Sequence, residues 1–265
     1  MSTPAPNVLL DISAGVARLV MNRPDTSNGL DVPFLRDLHE AIMACHRHPD
    51  VRAVILRGEG KNFSGGGNVK DFLAQGENLP HYLREATSWL QLVVTGLHRL
   101  AAPVIVAVHG FAAGGGGLGL VCSGDIVVGT EGSRYVSGVS RVGMAPDAGV
   151  SVTLAQLVGL RLAQEMLLTN RVLTAAEALD HGLLTRVVAE DDLVPTVDAL
   201  AAEIAAAPPL AIAGIKRLLW EGLGSSVAAR LSEEARTVAE LSGTADSLEG
   251  LQAVVAKRAP SFKGA

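Results

Sequence analysis

Aromatic side chains are scarce in this chain, with two Trp, two Tyr and five Phe among 265 residues. Basic residues are not in excess either: 22 Lys and Arg stand against 27 Asp and Glu, a formal net charge of -5. A nucleic-acid surface needs a basic patch, commonly interleaved with aromatics, so that class of partner is not expected. Long apolar runs are missing too. Mean hydropathy is +0.32, yet stretches free of polar residues and glycine, such as Leu100–Val108 and residues 204–213, do not exceed ten residues. A membrane span needs about 20 apolar residues, so no membrane partner is expected. Cysteine is limited to Cys45 and Cys122. Two lone thiols without ligand spacing predict packing in a reducing compartment, with no disulfide framework and no metal site. Met1–Pro6 has no basic segment leading into an apolar core, and a cytoplasmic location is expected.

Glycine, by contrast, is abundant, with 29 residues, and many of them cluster at two places. Phe63-Ser64-Gly65-Gly66-Gly67-Asn68 follows the apolar run Val51–Arg57. Gly110-Phe111-Ala112-Ala113-Gly114-Gly115-Gly116-Gly117-Leu118-Gly119 follows Val104–Val108. Glycine admits positive φ and lets backbones approach closely. Two such strand ends could aim a pair of bare N–H groups at one ligand oxygen, as an oxyanion hole requires; two tight turns are the simpler alternative.

The length suits one large domain, or one domain with an appendage. Val8–Ile12 and Val16–Met21 around Ala14-Gly15 read as a hairpin. Phe34, Leu35, Leu38, Ile42 and Met43 recur at helical spacing within a predicted helix from Pro33 to His48. Residues 74–80, with Gly76 and Pro80, read as a mobile connection, and a long helix is predicted over His81–Leu100. Val104–Val108 and Asp125–Gly129 read as buried strands, Val150–Val158 as a helix and Val187-Val188 as a short strand. Strand–helix alternation of this kind predicts an α/β core. Thr174-Ala175-Ala176-Glu177 is a capping box. Helices are then predicted at about 192–206, 210–222, 226–242 and 247–256, with a break at Ala206-Ala207-Pro208-Pro209. The expected organisation is a core over residues 1–200 and a helical region over 201–265.

Gly114, Gly116 and Gly119 form a literal G-x-G-x-x-G, with Glu131 near the place of a ribose-binding acid. About ten residues to the next strand looks too short for an ordinary crossover helix, which counts against a dinucleotide site. Asp147, in Gly143-Met144-Ala145-Pro146-Asp147-Ala148-Gly149, is either the N-cap of the following helix or a base with a pKa lifted by apolar neighbours.

These segments together resemble the crotonase (enoyl-CoA hydratase/isomerase) superfamily. Phe63–Lys70 is similar to its F-S-A-G-A-D-L-K loop, Val106–Asp125 to its A-x-G-G-G segment, and Gly143–Gly149 to its G-L-x-P-D-x-G segment. Asn22-Arg23-Pro24 with Asn28-Gly29-Leu30, Pro208-Pro209-Leu210-Ala211 with Lys216, and Lys257–Gly264 match the opening and closing segments. The resemblance implies a crotonase-like spiral of repeated β-β-α units with a C-terminal helical oligomerisation region. It implies an acyl-CoA thioester as partner, with no cofactor beyond the CoA of the substrate, and a homotrimer or dimer of trimers. A place in fatty acid metabolism follows from the same resemblance.

By that resemblance the enolate of the thioester would be held by the backbone N–H of Gly67 and of Gly115 or Gly116, four glycines standing where three are usual. The two glutamates of the family's hydratases fall on Leu118 or Gly119 and on Val139, none of them an acid. Asp147 matches the aspartate of its isomerases. One carboxylate suffices for a 1,3-proton shift, so an isomerase is expected. A hydratase (a lyase) with atypical water-activating groups, and a non-catalytic CoA-binding member, are the alternatives. Asp71, His81 and Glu131 are further proton-carrier candidates. For CoA, the resemblance implies contacts from Ser64, Gly65, Gly66 and Asn68, and phosphate contacts from Arg23 and Lys263.

Overall fold

A computed structural model describes residues 5–265. Strands β1 (Val8–Ser13) and β2 (Val16–Met21) pair antiparallel through a two-residue turn in which Ala14 and Gly15 both have positive φ. Such a turn matches the twist of the strands it joins. Helix α1 (Val32–Arg47) starts under the Asp31 carboxylate, which accepts from the Phe34 N–H at 3.0 Å. Strand β3 (Ala53–Gly58) follows, then α2 (Val69–Ala74), a 3-10 turn at Gly76–Asn78 and the long α3 (Leu79–Arg99). The 74–80 stretch is largely helical, because Asn68 caps α2 and Pro80 sits in the first turn of α3, where it costs no hydrogen bond.

Strand β4 (Val104–Val108), β5 (Phe111–Ala113) and α4 (Gly114–Cys122) form one β-β-α unit. Strand β6 (Ile126–Thr130), β7 (Arg134–Val136) and α5 (Val150–Val158) form the next. In each unit the first strand joins a six-stranded sheet of order β1-β2-β3-β4-β6-β9, and the second joins a small sheet of order β5-β7-β8. Earlier turns of the spiral contribute single bridges instead, Leu30 with Gly67 and Ser64 with Ala112. This is the crotonase-like spiral expected above.

The chain continues through α6 (Leu160–Thr169), β8 (Leu173-Thr174), α7 (Ala175–Asp180) and β9 (Arg186–Val188). The capping box at Thr174 and Glu177 is formed. Helices α8 (Leu193–Ala205), α9 (Pro209–Gly222), α10 (Val227–Ser242) and α11 (Ala245–Ala256) complete it, as the spacing predicts.

Strand β2 runs parallel to β3, β3 to β4 and β4 to β6. Their inner residues are mostly apolar because helices cover both faces of the sheet; Arg18 of β2 instead pairs with Asp198 at 2.8 Å. Leu19, Met21, Val54, Leu56, Val104 and Val106 face the core shared with α1, α3 and α4. Val16, Ala53, Ile55, Ile105 and Ala107 face Leu193, Val197, Leu200 and Ala201 of α8. No single helix among the described residues is long and apolar enough to cross a membrane.

The short crossover after β4 corrects an expectation. Nine residues of α4 suffice to carry the chain from β4 to its parallel neighbour β6. Glycine makes this possible: a Cβ on Gly119 would overlap that of Ala148, and one on Gly124 would stand 2.7 Å from the Val106 side chain. The G-x-G-x-x-G spacing thus serves close packing of this helix, and crossover length is no argument against a dinucleotide site.

Candidate active site

The first glycine loop is held from below by Asn28, which is fully buried. Its side-chain NH2 faces the carbonyls of Glu59, Asn62 and Phe63, each at 3.0 Å, and its own carbonyl accepts from Ser64 Oγ at 3.0 Å. Ser64 Oγ in turn accepts from the Gly66 N–H at 3.1 Å. Ser64 is fully buried, so it shapes the loop from inside and presents no contact surface to CoA.

Leu30 donates to the Gly66 carbonyl at 2.7 Å and accepts from the Asn68 N–H at 3.2 Å. In a parallel bridge of this kind the middle residue, here Gly67, turns its own N–H and C=O away from the partner strand. The Gly67 N–H has no backbone partner among the described residues, and Phe72 lies over its α-carbon. The two loops touch: a Cβ on Gly66 would meet the Ala113 carbonyl oxygen at 2.5 Å and the Gly114 α-carbon at 2.7 Å.

The second cluster is the start of α4, with Ala113 as N-cap. The first N–H groups of a helix lack intrahelical acceptors and carry partial positive charge. Gly114, Gly115 and Gly116 supply these donors, and all three line a cleft of about 630 Å³ that also includes Gly65, Gly67 and Asp147. The other walls are mostly apolar, with Leu30, Leu35, Leu83 and Leu90 from α1, α3 and the segment before α1.

Asp147 is not the N-cap of α5; Gly149 occupies that position, with φ of 76°. The Asp147 backbone carbonyl accepts from the Val150 N–H at 3.0 Å. Its Oδ1 is buried with no hydrogen-bond partner among the described residues. Burial pushes its pKa above the usual carboxylate value, opposed by a hydrogen bond from its own backbone. Asp147 is the only acid among the residues lining the cleft. A poised proton acceptor beside a pair of bare amides can abstract a proton next to a carbonyl while the amides receive the developing oxyanion.

The other expected residues lie elsewhere. Leu118 is buried in the core, whereas Val139 lines the cleft. Neither can transfer a proton. Asp71 accepts from the Tyr82 hydroxyl, and His81 and Glu131 are exposed away from the cleft wall. Asn68 caps α2, its side chain accepting from the Asp71 N–H at 3.3 Å. Arg23 pairs with Asp31 at 2.5 Å and stacks over Phe34. The Lys263 N–H donates to Asp246 at 2.7 Å, and Lys263 does not line the cleft. Ser137 and Arg141 also line it; Ser137 escaped sequence reasoning, and Arg141, two residues before Gly143 in the run that carries Asp147, was given no role.

Residues 11–265 match the family model for enoyl-CoA hydratase/isomerase. The chain is 34% identical over 255 residues, 96% of each chain, to a protein of Rhodobacter capsulatus described as "probable enoyl-CoA hydratase". It is 30% identical to the 1,2-epoxyphenylacetyl-CoA isomerase of Escherichia coli, over 97% of this chain and 98% of that one. The crystal structure of an enoyl-CoA hydratase of Mycobacterium smegmatis superposes with a TM-score of 0.91 at 32% identity, over 97% of this chain and 99% of that one.

Proposed function

Because the chain belongs to the enoyl-CoA hydratase/isomerase family of enzymes, we propose that it shifts the double bond of an unsaturated acyl-CoA through a thioester enolate. The thioester carbonyl sits between the N–H of Gly67 and that of Gly115, with Gly116 as the alternative second donor. Asp147 takes the proton from carbon 2 of a 3-enoyl-CoA, and the C–H electron pair moves onto the carbonyl oxygen. The enolate then collapses, the double bond moves to carbons 2 and 3, and Asp147 returns the same proton to carbon 4. No oxidant or second substrate is needed. Each oxyanion donor of this kind contributes about 2.7–4 kcal/mol to lowering the barrier. The CoA moiety runs along the first glycine loop, where Gly65 lies on the cleft wall.

The observation that carries this reading is the unpartnered Asp147 Oδ1, the one acid in the cleft lining. Asp147→Ala should abolish conversion of 3-enoyl-CoA to its conjugated isomer; unchanged turnover would retire the assignment. The second reading, hydration, draws support from the Rhodobacter capsulatus relative's description. Loss of conjugated absorbance on incubation with crotonyl-CoA would favour it. CoA binding without hydrogen–deuterium exchange at the acyl α or γ carbon would instead favour a non-catalytic binder.

The same proposal covers assembly. Helices α9 to α11 expose Leu219, Val227, Val238, Leu251, Val254 and Val255. Apolar side chains gathered on one helical region favour burial against another subunit, here two further copies in a trimer or dimer of trimers. Light scattering on the purified protein tests this. A cytoplasmic role in fatty acid metabolism belongs to the same reading.

A further inference from the structure

Two helices wall the cleft with apolar side chains that a double-bond shift by itself does not need. On α3, Leu79, Leu83, Ala86, Thr87 and Leu90 all line it, one face of the helix at spacings of three and four residues. The Thr87 hydroxyl is taken up by the Leu83 carbonyl at 2.8 Å. On α2, Val69, Phe72 and Leu73 line the same cleft. The inner end of the α3 stripe lies at the glycines: Leu90 is buried, and its side chain stands 3.5 Å from where a Cβ on Gly116 would be. Ala86 is buried too, whereas Leu83 and Leu79 are half-buried. On α2, Val69 is 57% exposed and Leu73 82%. The cleft thus begins closed at the glycines and ends as an open apolar trough.

Helix α2 is fixed in this place. Phe72 lies over the Gly67 α-carbon and edge-on to Tyr82, with ring centroids 6.1 Å apart. The Tyr82 hydroxyl donates to the Asp71 carboxylate and accepts from the Val32 N–H at 3.2 Å. A helix rises 1.5 Å per residue, so the stripe extends roughly 16 Å from Leu90 to Leu79, of which roughly 6 Å, to Ala86, is closed. An extended alkyl chain, with C–C bonds of about 1.5 Å at about 111°, advances roughly 1.3 Å per carbon. A butanoyl group ends inside the closed part. A chain of about ten to fourteen carbons runs along Leu83 to Leu79. We propose that the substrate is an acyl-CoA of that length, whose tail leaves the closed part and covers Leu83, Leu79 and Leu73. The trough is continuous with the site, so what the glycines hold at one end is what covers the leucines at the other.

This inference rests on the proposed placement of the thioester at the glycine amides, and its test reads binding rather than turnover. Butanoyl-, octanoyl- and dodecanoyl-CoA have no double bond to move. A fully buried methylene strengthens binding about fourfold, and one in a trough open on one side about twofold. Calorimetric titration of the full chain should therefore give dodecanoyl-CoA roughly tenfold tighter binding than octanoyl-CoA, at one site per chain. Leu73→Asn changes an exposed position and leaves the fold intact. It should cut that gain to about threefold or less and leave butanoyl-CoA within about twofold. Equal affinities for the octanoyl and dodecanoyl thioesters overturn the proposal, since the tail would then end in water. So does Leu73→Asn weakening all three ligands equally, which would put α2 on the CoA moiety. A dodecanoyl gain that survives Leu73→Asn overturns it too, and a fall in mass by light scattering in that variant would place a second copy on α2. If none of the three thioesters binds, the acyl-CoA reading of the cleft fails with it.

Discussion

Gly115 and Asp147 are fitted to one another: a Cβ on Gly115 would overlap Asp147 Oδ1 and stand 3.1 Å from its carboxyl carbon. The missing side chain at the second turn residue of α4 is what lets the carboxylate lie against the helix start. Gly115 has no positive φ, so alanine there is compatible with the backbone and favoured in a helix by about 1 kcal/mol. Gly115→Ala should therefore displace the carboxylate without unfolding the protein. The expected result is a loss of kcat of about a hundredfold or more, with the melting temperature nearly unchanged. A variant with full activity would show that Asp147 does not act from this position.

The half-buried Asp147, with its Oδ1 out of solvent, also fixes a pH dependence. Its pKa is raised by desolvation, and a base must be ionised to act. Activity should therefore fall with acid through a pKa above the roughly 3.9 of an ordinary aspartate, and a pH–rate profile measures the limb. Stability moves the other way. A carboxyl whose folded pKa exceeds its unfolded one binds more protons when folded, so its contribution is present below the unfolded pKa and lost as pH rises through the folded one. Asp147→Asn should consequently melt higher than wild type at neutral pH, with the gap narrowing as the pH approaches 4.

Gly66 holds the two loops in contact. Its φ is 81° and a Cβ would strike the Ala113 carbonyl oxygen and the Gly114 α-carbon. Neither backbone can give way cheaply, since Ala113 also donates to the Ser64 carbonyl at 2.9 Å. Gly66→Ala combines left-handed strain of about 1–2 kcal/mol with a steric separation of the two amide donors. Both activity and thermal stability should fall, in contrast to Gly115→Ala, where activity alone falls. Parallel melting curves and kinetics distinguish the two.

What was legible in the chain follows from the range of the interactions involved. Helices such as α1 and α9 declare themselves through local spacing and capping, and their predicted and observed limits differ by about one residue. Strands β5, β7 and β8 are two or three residues long and exist only through partners far away in sequence. The start of α4 is four glycines, poor helix formers on their own, and it is helical because tight packing demands their small size. At the site, Gly67 and Asp147 stand in motifs. The orphaned Ser137 hydroxyl and the structural burial of Ser64 depend on which neighbours fold around them, which no local pattern carries.

Lys216 anchors the tail to the core. Its Nζ lies 2.8 Å from Asp125 Oδ2 and donates to the Leu97 and Ala102 carbonyls at 2.9 and 3.2 Å. Asp125 also accepts from the Trp220 indole N–H at 2.7 Å and from the Val104 N–H at 2.6 Å. Burial lowers the Lys216 pKa, and the Asp125 charge opposes that shift. Removing one member of a buried pair strands the other and costs about 3–5 kcal/mol. Lys216→Met should lower the urea midpoint by a corresponding amount, because two carbonyls and a carboxylate lose their donor together. Lys216 does not line the cleft, so kcat measured well below the unfolding transition should stay near wild type. A variant as stable as wild type would mean that solvent replaces the ammonium there at no cost. A stable variant with reduced kcat would instead mean that the tail reports directly on the cleft through β4 and α4.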